Sequence, residues 1–181
     1  MSILKIGILL TDHVLEDLQK KHDDQDNFYR RIFNETDQEV SLEIYDVTQF
    51  IYPKSLDECD GYIITGSKLS VYDDERWIRV LEKFIVDLFL NKKLLLGVCF
   101  GHQLIAKALG GELKKADIGW VLGVQSYEFK TNYPWLEHMN EDVQLIHSHQ
   151  DQVMRLPEGA TLVASNNYVP NSMYYIEDHV M

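Results

Sequence analysis

The chain has 181 residues and a formal net charge of −12, with hydrophobic residues making up 45% of the sequence and charged residues 25%. These values are ordinary for a globular protein, and the length suits one domain with a substantial core. The acidity argues against nucleic-acid binding, because a phosphate backbone is bound by clustered Lys and Arg. We find neither an apolar run of about 18 residues nor a signal sequence, so no membrane span or secretion is predicted.

The N-terminal half alternates between strand and helix patterns. Such an order predicts right-handed crossover connections and a mostly parallel sheet with flanking helices. The predicted elements are, in chain order, a strand at 3–10, helices at 14–21 and 28–33, strands at 40–47 and 62–64, a helix at 74–91 and a strand at 94–96.

The C-terminal half has a different residue pattern, with short strand-like segments separated by turns. These patterns predict an additional, largely antiparallel layer. They fall at residues 112–114, 121–124, 127–129, 143–146 and 161–164. No repeat, linker or low-complexity tract divides the chain, so we expect a single domain over residues 1–181.

One stretch, residues 94–111, changes from a strand pattern to a helix pattern around Cys99. Gly97 and Gly101 lie two residues away on either side, which predicts a nucleophile elbow with cysteine in place of serine. A helix N-terminus beside the sulfur favours the thiolate and leaves N–H donors for an oxyanion. A cysteine between a strand and a helix is otherwise a small buried apolar residue, but the paired glycines favour a nucleophile.

Attack by a thiolate on an amide also needs oxyanion donors, a base and a group that orients the base. The backbone N–H of Phe100, directly after the nucleophile, is one predicted donor. The second is expected from the turn at Gly66 and Ser67, because parallel sheets bind ligands at the carboxyl ends of their strands. His102 is predicted to be structural, because helix neighbours point about 100° apart.

Two histidines, His147 and His149, occupy alternate positions of a predicted strand and therefore share one face. No third ligand lies nearby in sequence, so we predict no metal site. His149 and Asp151 remain open as a base and its orienting group.

The seven residues from Gly97 to Gln103 resemble the signature of class I glutamine amidotransferases. This resemblance implies a flavodoxin-like α/β fold, no metal or organic cofactor, and attack by Cys99 on a glutamine side-chain amide through a γ-glutamyl thioester. Gln103 matches the family glutamine near the substrate amide. Gly66 matches the first residue of a Gly-Gly pair in the oxyanion turn, whereas Ser67 departs at the second.

The segment containing Ser148 and His149 resembles a family segment that contributes to the glutamine pocket rather than to the catalytic dyad. Gly119-Trp120 and Pro134-Trp135 also fall at family landmarks. No partner or ligand other than glutamine or a γ-glutamyl compound is implied, apart from a protein that would accept the ammonia.

The family's catalytic His and Glu lie in a His-Pro-Glu segment, and none occurs in these 181 residues. We therefore expect a C-terminally truncated and impaired amidotransferase; the other explanation is a degenerate member that binds without turnover. A γ-glutamyl peptidase acting on glutathione-like compounds is an alternative function. A nucleophilic Cys99 must stay reduced, which favours the cytoplasm, while Cys59 is predicted to be a packing residue.

Overall fold

A computed structural model describes residues 3–130 and 143–181. The described chain forms two compact units, Met1–Ile105 and Ala106–Met181, and each is described by itself. The predicted landmark Pro134-Trp135 lies outside the described residues. The strands and helices are β1 Leu4–Leu10, α1 Glu16–His22, α2 Gln25–Asn34, β2 Val40–Asp46, β3 Gly61–Ile64, α3 Arg76–Leu90, β4 Leu94–Gly97, α4 Phe100–Ala108, β5 Glu112–Lys115, β6 Val121–Phe129, β7 Val143–His149, β8 Asp151–Arg155, β9 Ala160–Ser165 and β10 Met173–Ile176.

The first unit is built on a parallel sheet with the strand order β2-β1-β3-β4. This confirms the predicted mostly parallel sheet. Its central strands are almost entirely apolar and buried, as strands covered on both faces must be. All four strands run in the same direction, so their carboxyl ends meet at one edge of the sheet.

Helices cover this sheet on both faces. On one face, Tyr29 and Phe33 of α2 pack against Ile6, Ile8 and Ile63. On the other face, α3 buries a continuous apolar stripe, and the ring of Phe84 meets that of Tyr62 edge-on at 6.0 Å. The buried residues of that stripe are Trp77, Ile78, Leu81, Ile85 and Leu88.

The start of α2 differs from the sequence prediction, which placed this helix at residues 28–33. The helix begins three residues earlier, at Gln25, because Asp24 acts as its N-cap and accepts the backbone N–H of Gln25. The polar residues 25–27, directly before Phe28, therefore form the first turn of the helix rather than a loop.

The second unit contains a four-stranded sheet with the order β10-β9-β6-β7 and a two-stranded sheet of β5 and β8. All of these pairings are antiparallel, which confirms the predicted additional layer. Residues 121–129 form one strand rather than the two predicted. Strand β8 was not predicted, because it opens with two polar residues, Asp151 and Gln152, that are buried.

Within the described residues, no helix combines the length and the apolar character that crossing a bilayer requires. The same part of the chain contains no group of three or more His, Cys, Asp or Glu side chains placed to hold a metal ion.

Candidate active site

Cys99 lies at the turn between β4 and α4, with an exposed thiol and a backbone φ of +51°. This left-handed conformation is unfavourable for a residue with a side chain, and such strain is common at catalytic positions. Hydrogen bonds on both sides hold the turn: Val98 N–H donates to the Ile64 carbonyl at 3.0 Å, and Gln103 N–H donates to the Cys99 carbonyl at 3.0 Å. The elbow predicted from the sequence is therefore present in the backbone.

The two glycines of the elbow are required by close packing rather than by their own φ angles. A Cβ on Gly97 would lie 2.6 Å from the carbonyl carbon of Gly101 and 2.6 Å from the amide nitrogen of His102. A Cβ on Gly101 would lie 2.5 Å from the carbonyl oxygen of Ile64, which belongs to the neighbouring strand β3. Helix α4 can thus start directly against the sheet only because both positions lack side chains.

Phe100 begins α4, so its backbone N–H has no partner within the helix. Its side chain is buried and packs against Trp77 of α3 with the ring centroids 5.6 Å apart. This anchor fixes the first turn of α4 beside the sulfur. Gln103, three residues later on the same helix, is also buried.

The turn after β3 lies beside the elbow. A Cβ on Gly66 would be 3.6 Å from the Cβ of Cys99, an ordinary contact distance. The sequence-predicted residues Cys99, Phe100, Gly66 and Ser67 therefore converge at the carboxyl ends of β3 and β4. This is the edge at which parallel sheets bind ligands.

A cluster of buried hydroxyls holds the turn after β3. Thr11, at the end of β1, donates its backbone N–H to the Thr65 hydroxyl at 3.0 Å, and the two hydroxyl oxygens are 2.9 Å apart. The Thr11 hydroxyl also lies 3.0 Å from the carbonyl oxygens of Thr65 and of Gly66. Sequence reasoning missed Thr11, although it follows a predicted strand and so lies at the ligand-binding edge of the sheet.

The last residues of this turn are held by Asp12. Its carboxylate accepts the backbone N–H of Lys68 and pairs with the Lys68 ammonium, each at 2.8 Å. The backbone from Thr65 to Lys68 is therefore fixed at both ends by residues that follow β1.

His13 links the start of α2 to the same region. Its ring nitrogens contact the Asp24 carboxylate at 2.6 Å and the Asp46 carboxylate at 3.1 Å. The hydrogen bond to Asp24 raises the pKa of His13 above its ordinary value, against the effect of burial, and Asp46 adds to the increase. Burial alone would raise the pKa of Asp24, but hydrogen bonds from His13 and from backbone N–H groups lower it.

Tyr29 of α2 lies close enough to Cys99 for the two groups to interact electrostatically. Burial raises the pKa of Tyr29 to about 12, with a further contribution from negative charge at Cys99. Neither Tyr29 nor the His13 cluster stands out in the sequence, because both depend on how α2 packs against the sheet.

Cys59 is almost fully buried, and its sulfur lies 3.6 Å from the Tyr45 hydroxyl. Burial raises the pKa of the Cys59 thiol. A buried thiol with a raised pKa is a poor nucleophile, in keeping with the predicted packing role.

Ser148 and His149 belong to the second unit, on β7. The His149 ring is joined to its surroundings through both nitrogens: Nδ1 lies 3.1 Å from the backbone carbonyl oxygen of Asp151, and Nε2 lies 2.8 Å from Nδ1 of His147. Nε2 of His147 in turn hydrogen-bonds the Tyr127 hydroxyl.

A carbonyl oxygen can only accept, so His149 Nδ1 carries a proton and its neutral Nε2 accepts from His147. Burial lowers the pKa of both rings, and repulsion by His149 lowers that of His147 further. The proposed pairing of His149 with Asp151 thus involves the aspartate backbone. His179, also in the second unit, lies 3.6 Å from a Glu177 carboxylate oxygen.

The family model for class I glutamine amidotransferases matches residues 25–179. The chain belongs to this family. It is 36% identical over 137 residues to γ-glutamyl peptidase 3 of Arabidopsis thaliana, covering 72% of this chain and 55% of that protein. It is 30% identical over 127 residues to one subunit of the glutamine-hydrolysing GMP synthase of Sulfolobus acidocaldarius, covering 70% of this chain and 65% of that one.

The fold also matches solved structures of the family. A glutamine amidotransferase from Thermotoga maritima superimposes with a TM-score of 0.78 at 18% identity, covering 97% of this chain and 73% of that one. The chain spans about half the length of the curated γ-glutamyl peptidases that it matches, 55% in each case.

Proposed function

We propose that Cys99 is the nucleophile of a hydrolase that cleaves γ-glutamyl amide bonds. The observation that carries this proposal is the elbow itself, in which an exposed cysteine at φ +51° faces the Gly66 turn. The backbone at position 99 adopts a left-handed conformation that favours glycine, yet the position carries a thiol side chain. The family assignment supplies the class of reaction.

In the proposed reaction, the Cys99 thiolate attacks the γ-carbonyl carbon, and the carbonyl electron pair moves to oxygen. Backbone N–H groups of Phe100 and of Ser67 or Gly66 bind that oxyanion, an interaction that elsewhere is worth about 10²–10³ in rate per donor. Collapse of the tetrahedral intermediate breaks the C–N bond and expels the amine, which takes up a proton. A γ-glutamyl thioester remains on Cys99. Water then releases glutamate and restores the thiol.

The leaving group decides between two substrate classes. Glutamine would release ammonia to an accepting protein; the matched GMP synthase subunit is named for glutamine hydrolysis. A γ-glutamyl peptide would release an amino acid or peptide, and four curated γ-glutamyl peptidases are 27–36% identical to this chain. We propose γ-glutamyl peptides as the substrate class, with Gln103 near the substrate amide.

The 181 residues contain no His-Pro-Glu sequence, so no residue of this chain is matched to the family's base. General acid–base catalysis commonly contributes about 10²–10⁴ in rate. We therefore propose that this chain forms the covalent adduct but turns over slowly. Because the Cys99 thiol must stay reduced to react, we also propose that the protein works in a reducing compartment such as the cytoplasm.

The test offers glutamine and γ-glutamyl dipeptides separately and measures ammonia and free amino acids. Wild type, Cys99→Ala and Cys59→Ala are compared, together with any longer product of the same gene. We expect Cys59→Ala to match wild type and Cys99→Ala to be inactive. Equal activity in wild type and Cys99→Ala would rule out the nucleophile, and substrate binding without any thioester would favour a non-enzymatic binding module.

A further inference from the structure

The Gly66–Ser67 peptide is held through its carbonyl oxygen. Its carbonyl oxygen accepts from the side-chain amide of Gln25, the first residue of α2, at 3.2 Å. The same oxygen lies 3.0 Å from the Thr11 hydroxyl. Because a carbonyl oxygen only accepts, the contacting atom of Gln25 must be the NH₂ nitrogen.

The number of hydrogens that can be donated to the Gly66 carbonyl explains why Gln25 is needed in addition to Thr11. The Thr11 hydroxyl has one hydrogen but lies within 3.0 Å of three oxygens, namely the Thr65 hydroxyl and the carbonyls of Thr65 and Gly66. It can satisfy only one of them at a time, and the Thr65 hydroxyl, which also faces the Gly66 carbonyl, lies farther from it at 3.4 Å. The Gln25 amide carries two hydrogens, and one of them is directed at the Gly66 carbonyl.

The orientation of the carbonyl fixes that of the neighbouring N–H. The Gly66–Ser67 peptide is trans, so the Ser67 N–H points opposite to the Gly66 carbonyl, away from Gln25 and Thr11. Among the described residues this N–H has no acceptor, while the Gly66 Cα faces Cys99. An N–H held in place before the substrate arrives needs no reorganisation during the reaction.

We infer that Gln25 is a positioning residue, which aims the Ser67 N–H at the oxyanion formed on Cys99. The inference rests on the proposed function and adds the residue that orients the oxyanion donor. In this role Gln25 acts on neither the thiol nor the substrate directly. It acts only through the Gly66 carbonyl, and it is itself held at the N-terminus of α2 by the contacts of Asp24 with His13.

Two reactions of the Cys99 thiol distinguish a positioning role of Gln25 from a general structural role. With L-glutamate γ-semialdehyde, a Cys99 S–C bond forms, and the carbonyl electron pair moves to oxygen, which is protonated by water to give a hemithioacetal. With iodoacetamide, an S–C bond forms as the C–I bond breaks and iodide leaves, so no oxyanion arises. Neither reaction requires a full catalytic triad.

The variants are Gln25→Met, which keeps the length and removes the donor, and Gln25→Glu, which places an acceptor against the carbonyl. Gln19→Met is the matched control, because Gln19 also donates its side-chain amide to a backbone carbonyl, that of Val14, but lies away from the oxyanion turn. Aldehyde affinity is measured as protection of Cys99 from iodoacetamide, read by peptide mass spectrometry to separate Cys99 from Cys59. Thermal unfolding checks that each variant is folded.

We expect both Gln25 variants to bind the aldehyde about tenfold or more weakly, with iodoacetamide alkylation unchanged within about twofold. Gln19→Met should match wild type in both reactions. Equal aldehyde affinity in wild type and the Gln25 variants would overturn the inference while leaving Cys99 as nucleophile. A parallel loss in both reactions would also overturn it, since Gln25 would then support the elbow in general. If wild type binds no aldehyde, the proposed function fails and this inference with it.

Discussion

Glycine at position 99 should make the protein more stable than alanine does, the reverse of the usual order. Cys99 has a φ of +51°, and the left-handed conformation costs a residue with a Cβ about 1–2 kcal/mol. Glycine escapes this cost but gains freedom in the unfolded chain, worth about 0.5–1 kcal/mol against it. At the midpoints of these ranges, the difference leaves Cys99→Gly about 0.75 kcal/mol more stable than Cys99→Ala.

The free energy of unfolding is measured by urea denaturation for both variants, with the same comparison made at Val98. Val98 precedes Cys99, has an exposed side chain and does not have a positive φ. There the usual order should hold, with Val98→Ala more stable than Val98→Gly by about 0.5–1 kcal/mol. Cys99→Ala equal to or more stable than Cys99→Gly would refute the claim that the elbow stores backbone strain at Cys99.

Three further results are expected. Gly101→Ala should cost about 1–3 kcal/mol and slow Cys99 alkylation, because the new methyl would lie 2.5 Å from the Ile64 carbonyl oxygen. His13→Gln should cost about 1 kcal/mol at pH 6, the scale of a partly exposed ion pair. Because the pKa of His13 is raised in the folded protein, the stability lost in His13→Gln is greatest below the ordinary histidine pKa of 6.5. The loss disappears as the pH rises through the raised pKa of His13 in the folded protein. NMR titration should place the pKa of His147 and of His149 below their ordinary 6.5.

Each of these results can fail in a recognisable way. Gly66→Ala is the control for Gly101→Ala, because its methyl would meet Cys99 at an ordinary 3.6 Å, and equal stability losses would contradict the packing argument. A His13→Gln difference that grows with pH would contradict the assigned sign. A measured pKa above 6.5 for either His147 or His149 would contradict the assignment of these two rings as a neutral, hydrogen-bonded pair.

The elbow was predictable because its requirements are local. A strand, a cysteine between two glycines and a helix are adjacent in sequence, and each follows from residue size and apolar period. The Gly66 turn was also predictable, because parallel strands bring their carboxyl ends to one edge. The C-terminal strands were harder to predict, since β8 begins with buried polar residues that give no apolar pattern.

The residues that support the site could not be read from the sequence. Thr11, Gln25 and His13 are ordinary polar residues near the ends of elements, and nothing in their spacing points to Gly66 or Asp46. Their roles arise from contacts over 33, 41 and 54 positions of sequence separation, which the packing of α2 and of neighbouring strands creates.

By itself, the sequence predicted Cys99 as the candidate nucleophile, and it determined the strand-to-helix turn around Cys99 and the parallel arrangement of the first four strands. These features depend on side-chain size and period over a few neighbouring residues. Only the tertiary structure decided where the strain lies, on Cys99 and not on its glycines. It also decided which groups hydrogen-bond the Gly66 carbonyl. Hydrogen bonds to a backbone carbonyl depend on position and not on residue pattern, so they become visible only once distant segments are packed together.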